Sequence, residues 1–191
     1  MKDMVSHALK QKLGIKFIWT HKKFKRILIG DSTQFELPPL FKKIYKGSGG
    51  AASPSSIKVQ YCFDLISASI VSLVNRSGVA TDYSSEICFL EKNDLIIEDL
   101  GYFNIDRFKQ IAKRRAYFLS RFRFGRVVFK KHKDEYVAID LLKEEKKMKS
   151  GEIRQFQVWI DRKEKLPVRL ILEKVPDQIA GQIHGALALD T

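Results

Sequence analysis

The chain is poor in cysteine, histidine and acid, and it has no long apolar run. Only two cysteines occur, Cys62 and Cys88, each inside an otherwise apolar stretch. They lack metal-ligand spacing, and a disulfide-stapled secreted domain needs more of them. Two buried free thiols in a reducing cytosol are expected. The histidines, His7, His21, His132 and His184, are scattered, with none at zinc spacing from a cysteine. Surface positions are expected for them. No apolar stretch approaches the ~20 residues that span a bilayer. The longest, "YCFDLISASIVSLVNRSG", is broken by polar side chains. The first residues hold no apolar segment with a cleavage site, so a cytoplasmic chain with no membrane partner is expected.

What is present is base and a core. Lys and Arg number 35 against 22 Asp and Glu, a net charge of +13. That excess favours a polyanionic partner, nucleic acid before anionic membrane. A protein with merely lysine-rich surfaces meets the same count, so charge alone assigns no function. With 191 residues, 45% of them hydrophobic, the chain suits one domain or a domain with a small insertion.

Residues 1–25 read as a basic arm, loosely helical through Ala8, Leu9 and Leu13. "RILIGD", 26–31, reads as a buried strand in which Gly30 clears space and Asp31 marks the exit. "ELPPL" breaks regular structure, because Pro38 and Pro39 supply no N–H. "GSGGAASPSS", 47–56, reads as a loop. Residues 57–65 alternate Ile57, Val59, Tyr61, Phe63 and Leu65 with polar neighbours, and 68–75 are rich in Val and Ile. With a short connection they read as a hairpin. Thr81 or Asp82 predicts a helix N-cap. "DLIIEDLGYF", 94–103, reads as a second buried strand with carboxylates near its end. "NIDRFKQIAKRR", 104–115, predicts a helix capped by Asn104, with Ile105, Phe108, Ile111 and Ala112 on one face. "AYFLSRFRF", 116–124, reads as a strand, and a βα unit followed by a strand signals parallel pairing.

From Arg126 the pattern becomes all-β. "RVVFKK", "EYVAIDLL", "RQFQVWID" and "PVRLILEKV" are short strands between polar turns such as "KEEKKMKSGE", most simply a meander. The tail, 177–191, is expected to be weakly ordered.

Two acids stand at strand ends, Asp31 and Asp99. In an open α/β sheet, sites gather at the carboxyl ends of strands. Two neighbouring aspartates there repel unless a cation or proton is shared. An all-oxygen pair favours a hard ion, Mg²⁺ or Mn²⁺. On spacing alone Asp31 reads first as a turn residue, since Ser32 and Thr33 follow it. Asp99 is harder to explain that way, because Asn104 already serves as the helix cap.

"LIGDSTQFELP" resembles the first catalytic block of insertion-sequence transposases of the IS-four type. There an Asp followed by a small or hydroxyl residue ends the first core strand. "DLIIEDLGYFNIDRFKQIAKRRAYFLSRFR" resembles the second block, the more specific of the two. "LPVRLILEKVP" resembles a strand late in that family's inserted β-region. The resemblance runs from about Phe24 to Pro176. It implies an α/β fold: a ribonuclease H-like mixed sheet over 26–125, first and fourth strands adjacent, with a small all-β region, 126–176, inserted. It implies DNA strand cleavage and transfer by two Asp and a Glu with two Mg²⁺ ions. By position, Asp31 and Asp99 are the two aspartates, as metal ligands and catalytic groups. The expected Tyr…Arg…Glu…Lys helix has no match. After Pro176 only Asp177 and Asp190 are acidic, and Glu144, Glu145, Glu152, Glu164 and Glu173 fall in or between β-region strands. A truncated transposase or decayed gene copy is expected, inactive alone.

Basic residues cluster before the first strand (Lys22, Lys23, Lys25, Arg26) and around the fifth (Lys113, Arg114, Arg115, Arg121, Arg123, Arg126), interleaved with Tyr117, Phe118, Phe122 and Phe124. Simple alternation, aromatics inward and arginines outward, explains the aromatics. Given the resemblance, Lys23, Lys25, Arg26, Arg114, Arg115, Arg121 and Arg123 are expected to contact the phosphates of transposon-end DNA. A homodimer, or a mixed oligomer with full-length transposase, is the implied assembly. A non-catalytic regulatory remnant, or a structural or RNA-binding α/β protein, remains the alternative.

Overall fold

A computed structural model describes residues 23–176 other than 51, 124 and 164. The basic arm up to Lys22, Glu164, Phe124 and the tail with Asp177 and Asp190 lie outside the described residues, as do His7, His21 and His184. The chain divides into two compact units between Arg123 and Phe124.

The first unit is built on five strands: β1 (Arg26–Glu36), β2 (Ser56–Asp64), β3 (Ser69–Ser77), β4 (Asp94–Glu98) and β5 (Tyr117–Ser120). Their order is β3-β2-β1-β4-β5. β1, β2 and β3 pair antiparallel, while β4 runs parallel to β1 and β5 parallel to β4. This is the expected ribonuclease H-like mixed sheet, with the first and fourth strands adjacent. The hydrophobic run explains the centre. Ile27 and Leu28 are flanked by strands on both sides and are buried, as is Ile96 of β4.

β1 is longer than the expected 26–31 and does not stop at Asp31. Its register with β4 ends at Gly30 opposite Glu98, but its register with β2 continues to Glu36 opposite Ser56. Backbone pairing on one side keeps "DSTQFE" extended although its side chains are mostly polar and mostly exposed, Phe35 included among the exposed. β4, by contrast, ends earlier than the expected 103. Asp99 opens a 3-10 turn, Leu100–Tyr102, accepting a hydrogen bond from the Gly101 N–H. β5 is also shorter than 116–124, because its partner β4 runs out at Glu98 opposite Ser120.

The hairpin of β2 and β3 forms as read. Helix α1 (Ile105–Lys113) forms with Asn104 as its cap, accepting from the Arg107 N–H, and buries Phe108 and Ile111. The helix expected from Thr81 or Asp82 is a single 3-10 turn, Asp82–Ser84. Thr81 makes no side-chain cap bond, and the Asp82 carboxylate is drawn to Ser32 and Lys58 instead. Cys62 is buried as expected, but Cys88 is exposed; both are free thiols. His132 is exposed.

The second unit holds β6 (Val128–His132), β7 (Glu135–Ile139), β8 (Ile153–Ile160) and β9 (Leu166–Glu173) in the order β7-β6-β8-β9. A sequential meander would set β7 beside β8. Here two hairpins join through β6 and β8 instead. The region is also not all-β. Helix α2 (Leu141–Lys146) stands where a strand end and turn were expected, because Asp140 caps the Leu142 and Lys143 N–H groups and "LLKEEK" is made of good helix formers. Val128, Met148, Val158, Ile160 and Leu170 form this unit's core. Among the described residues no helix is long and apolar enough to cross a membrane.

Candidate carboxylate site and basic surface

Asp31 and Asp99 each directly follow one member of the Gly30–Glu98 pair on parallel neighbouring strands. Both side chains are exposed. Asp31 Oδ1 accepts from the Ser32 N–H at 2.8 Å, and its Oδ2 accepts from the Tyr61 hydroxyl at 3.1 Å. Tyr61 is Asp31's partner across β2. Burial, and then the Asp31 charge, pushes the Tyr61 hydroxyl above its ordinary pKa. Asp99 Oδ1 accepts from the Gly101 N–H at 2.9 Å. So Asp99 does cap a turn, its own short one ahead of the Asn104 cap. An ionised carboxylate offers about four lone-pair sites, so both acids keep free acceptor capacity.

A third acid lies nearby, read from sequence only as a helix cap and not as a neighbour of Asp99. Asp82 Oδ1 accepts from Ser32 Oγ at 2.8 Å and from Lys58 Nζ at 3.0 Å. A Cβ placed on Gly101 would lie 2.9 Å from Asp82 Oδ2 and 3.2 Å from Asp99 Oδ1. The glycine therefore lets these two carboxylates crowd one point. Tyr102, 2% exposed, lies under the same mouth. Burial raises its hydroxyl pKa, a Ser32 hydrogen bond opposes that, and Asp82, Glu98 and Asp31 add to it.

Beneath the mouth sits a buried ion pair. Arg107 of α1 donates through Nε to Glu98 Oε2 at 2.9 Å and through Nη2 to Glu98 Oε1 at 2.5 Å. Its Nη1 reaches the Ser85 carbonyl at 2.7 Å. Burial holds the Glu98 carboxyl above its usual range despite the opposing Arg107. Gly30 belongs to this arrangement: a Cβ there would sit 3.0 Å from Glu98 Oε1. The signal for Arg107 was available, since a charged residue on the apolar side of a helix needs a buried partner. Its identity as Glu98 required the fold.

Among the described residues no group of three His, Cys, Asp or Glu side chains is gathered to hold a metal. Exposed carboxylates with free lone pairs are the donor chemistry that Mg²⁺ takes, alongside several waters.

The basic residues separate into two kinds. Arg26 is turned inward, with its guanidinium on Asp94 and the Phe89 carbonyl, and the Asp94 hydrogen bond raises its pKa. Lys25 pairs with Glu91. Lys23, Arg114, Arg115, Arg121 and Arg123 are exposed. Lys23 Nζ lies 4.8 Å over the Tyr117 ring, and Arg114 reaches the Cys88 carbonyl at 3.4 Å. Phe118 stacks on Phe108, and Phe122 meets Phe103 edge-on. These two aromatics pack inward while the arginines beside them face water. Tyr117, 39% exposed, does not.

The family model described as "Transposase DDE domain" matches residues 22–177. The transposase for insertion sequence element IS1151 of Clostridium perfringens is 34% identical, over 81% of this chain and 36% of that protein. The transposase for IS231E of Bacillus thuringiensis subsp. finitimus is 28% identical, over the same shares. The chain thus spans about a third of the length of the curated relatives it matches. A solved structure of the piggyBac transposase synaptic complex with hairpin DNA is similar at TM-score 0.42 and 12% identity, over 78% of this chain and 33% of that one.

Proposed function

The chain belongs to the Transposase DDE domain family, and from that premise we propose that its first unit works as part of a catalytic domain for DNA strand cleavage and joining in transposition. One observation supports the reading: β1 and β4 pair in parallel with Gly30 opposite Glu98, so Asp31 and Asp99 each follow directly on the last residue of that pairing. In this reading both aspartates are metal ligands for Mg²⁺ or Mn²⁺. When bound, such an ion activates a water nucleophile and stabilises the leaving oxygen. The chain's own residues orient the ligands. The Ser32 N–H and the Tyr61 hydroxyl hold Asp31, and the Gly101 N–H holds Asp99, leaving lone pairs free.

The resemblance implies a third carboxylate, a Glu; Asp82 lies near Asp99, but among the described residues no group of three acids is arranged to hold a metal. By itself the chain is proposed to bind metal and DNA without cutting, as a homodimer or beside another transposase chain that completes the site. Lys23, Arg114, Arg115, Arg121 and Arg123 supply phosphate contacts at exposed positions. Lys25 and Arg26, engaged by Glu91 and Asp94, are left out of that set.

The test uses end-labelled DNA carrying the element's terminal sequences, with Mn²⁺. A salt-sensitive complex and no nicked strand are expected. Each phosphate contact removed, as by Arg121→Ala, flattens the salt slope by about 0.9. Efficient nicking abolished by Asp31→Ala would show that this chain supplies the third ligand after all. Binding indifferent to salt would overturn the DNA reading.

A further inference from the structure

Arg107 has more partners than a stability role requires. It is 4% exposed on a helix, yet one guanidinium reaches two other segments, β4 and the 82–85 turn. Two of its nitrogens fork onto Glu98, the residue before Asp99. The third reaches the Ser85 carbonyl at 2.7 Å and the Tyr83 carbonyl at 3.5 Å, in the turn that begins at Asp82. From that turn, Asp82 accepts from Ser32, the residue after Asp31. Lys58 of β2 holds the same Asp82 oxygen and also donates to the Ala80 carbonyl at 2.7 Å. One side chain is thereby linked to the immediate neighbours of both exposed aspartates. Gly30 supports the arrangement, because any Cβ there would press on Glu98.

We propose that Arg107 is a positioning residue that fixes the separation of Asp31 and Asp99, rather than a residue that only secures α1 to the sheet. The inference rests on the two-aspartate metal reading above. Arg107 touches neither aspartate. It acts through Glu98 on one side and through the 82–85 turn and Ser32 on the other. A lysine keeps the charge but cannot fork onto Glu98 while also reaching two carbonyls. Outer partners of metal ligands commonly change affinity 10–100-fold when altered. The change should also depend on the ion. Mg²⁺ demands near-ideal octahedral geometry and Mn²⁺ takes the same octahedral oxygen set, whereas Ca²⁺ accepts a looser and larger one.

The experiment titrates Mn²⁺ and, separately, Ca²⁺ into the full chain. Free Mn²⁺ is read by electron paramagnetic resonance, Ca²⁺ by calorimetry, and folding by thermal melting. In the parent chain, Mn²⁺ binding should be lost in Asp31→Ala and in Asp99→Ala. If neither substitution affects it, the metal reading falls and this inference falls with it. In Arg107→Lys, Mn²⁺ affinity should drop about 10–100-fold, with a smaller drop for Ca²⁺, so that the Mn²⁺/Ca²⁺ preference shrinks. Unchanged Mn²⁺ affinity overturns the inference while the metal reading stands. The double variant Glu98→Leu with Arg107→Met guards against simple unfolding, because replacing a buried ion pair by apolar side chains is often neutral or stabilising. It should melt near the parent and still bind Mn²⁺ weakly, since the ties to Ser85 and Tyr83 are gone. If stability and Mn²⁺ affinity return together, Arg107 only holds the fold.

Discussion

At one end of β4 the Asp94 carboxylate is clasped by Arg26; at the other, Glu98 is clasped by Arg107. The chemistry is the same, an arginine forked onto a buried acid, but the surroundings differ. The Asp94 end is closed. Its carboxylate also accepts from the Glu91 N–H at 2.7 Å, and Arg26 caps the Phe89 carbonyl, so loop, β1 and β4 are joined. The Glu98 end opens at once onto Asp99, Asp31 and Asp82. A buried pair thus finishes the sheet at one end and underlies an exposed acidic mouth at the other.

The largest test of that contrast removes each arginine alone. Arg107→Met leaves Glu98 buried and unpaired and is expected to destabilise by about 3–5 kcal/mol. Arg26→Met should destabilise by only about 1–3 kcal/mol, because Asp94 keeps the Glu91 N–H and Arg26 is more open to water. Chemical denaturation measures both, and equal losses would erase the distinction. Next in size is Gly30→Ala. Its Cβ would press on Glu98 Oε1 and Cγ at 3.0 and 3.1 Å, an overpacking strain of about 1–3 kcal/mol. Suppression by Glu98→Ala would confirm the contact responsible.

The smallest effect is a difference in sign with pH. Burial holds Glu98 above the ordinary glutamate value of about 4.3, so the folded chain binds that proton more tightly than the unfolded one. Its contribution to stability is greatest below pH about 4.3 and falls as pH rises through the folded value. Glu91, near Asp94, is lowered, first by its hydrogen bond from Lys25 and then by the Arg26 charge. Its contribution is present above about 4.3 and is lost as pH falls through the folded value. Melting curves of the parent, Glu98→Gln and Glu91→Gln across acidic to neutral pH should diverge with opposite slopes. Parallel curves would refute the assignment.

Much of the sheet was legible because alternation and long apolar runs are local. The hairpin of β2 and β3, the buried half of β1, and the Asn104 cap all declare themselves within a few residues. The polar half of β1 did not, since β2 keeps it extended regardless of side chains. Helix α2 hid behind its charges, with Asp140 as the overlooked cap. At the candidate site, the placement of Asp31 and Asp99 at neighbouring strands could be read from sequence. Asp82 could not, because its partner Ser32 lies 50 residues away, and Arg107 could be suspected on its helix but not matched to Glu98, 9 residues back on another element. Likewise Arg26 looks like any other arginine until Asp94, 68 residues on, is brought beside it.

The amide of Ser32 has an unusual guardian. Up to Gly30, β1 is flanked by β2 and β4; beyond it, only β2 remains. There the Ser32 N–H is engaged by the Asp31 carboxylate rather than by a neighbouring strand. Its solvent-exchange lifetime is therefore a built-in gauge of that carboxylate. Anything that draws the oxygen elsewhere shortens it, in one resolvable signal at the edge of the acidic mouth.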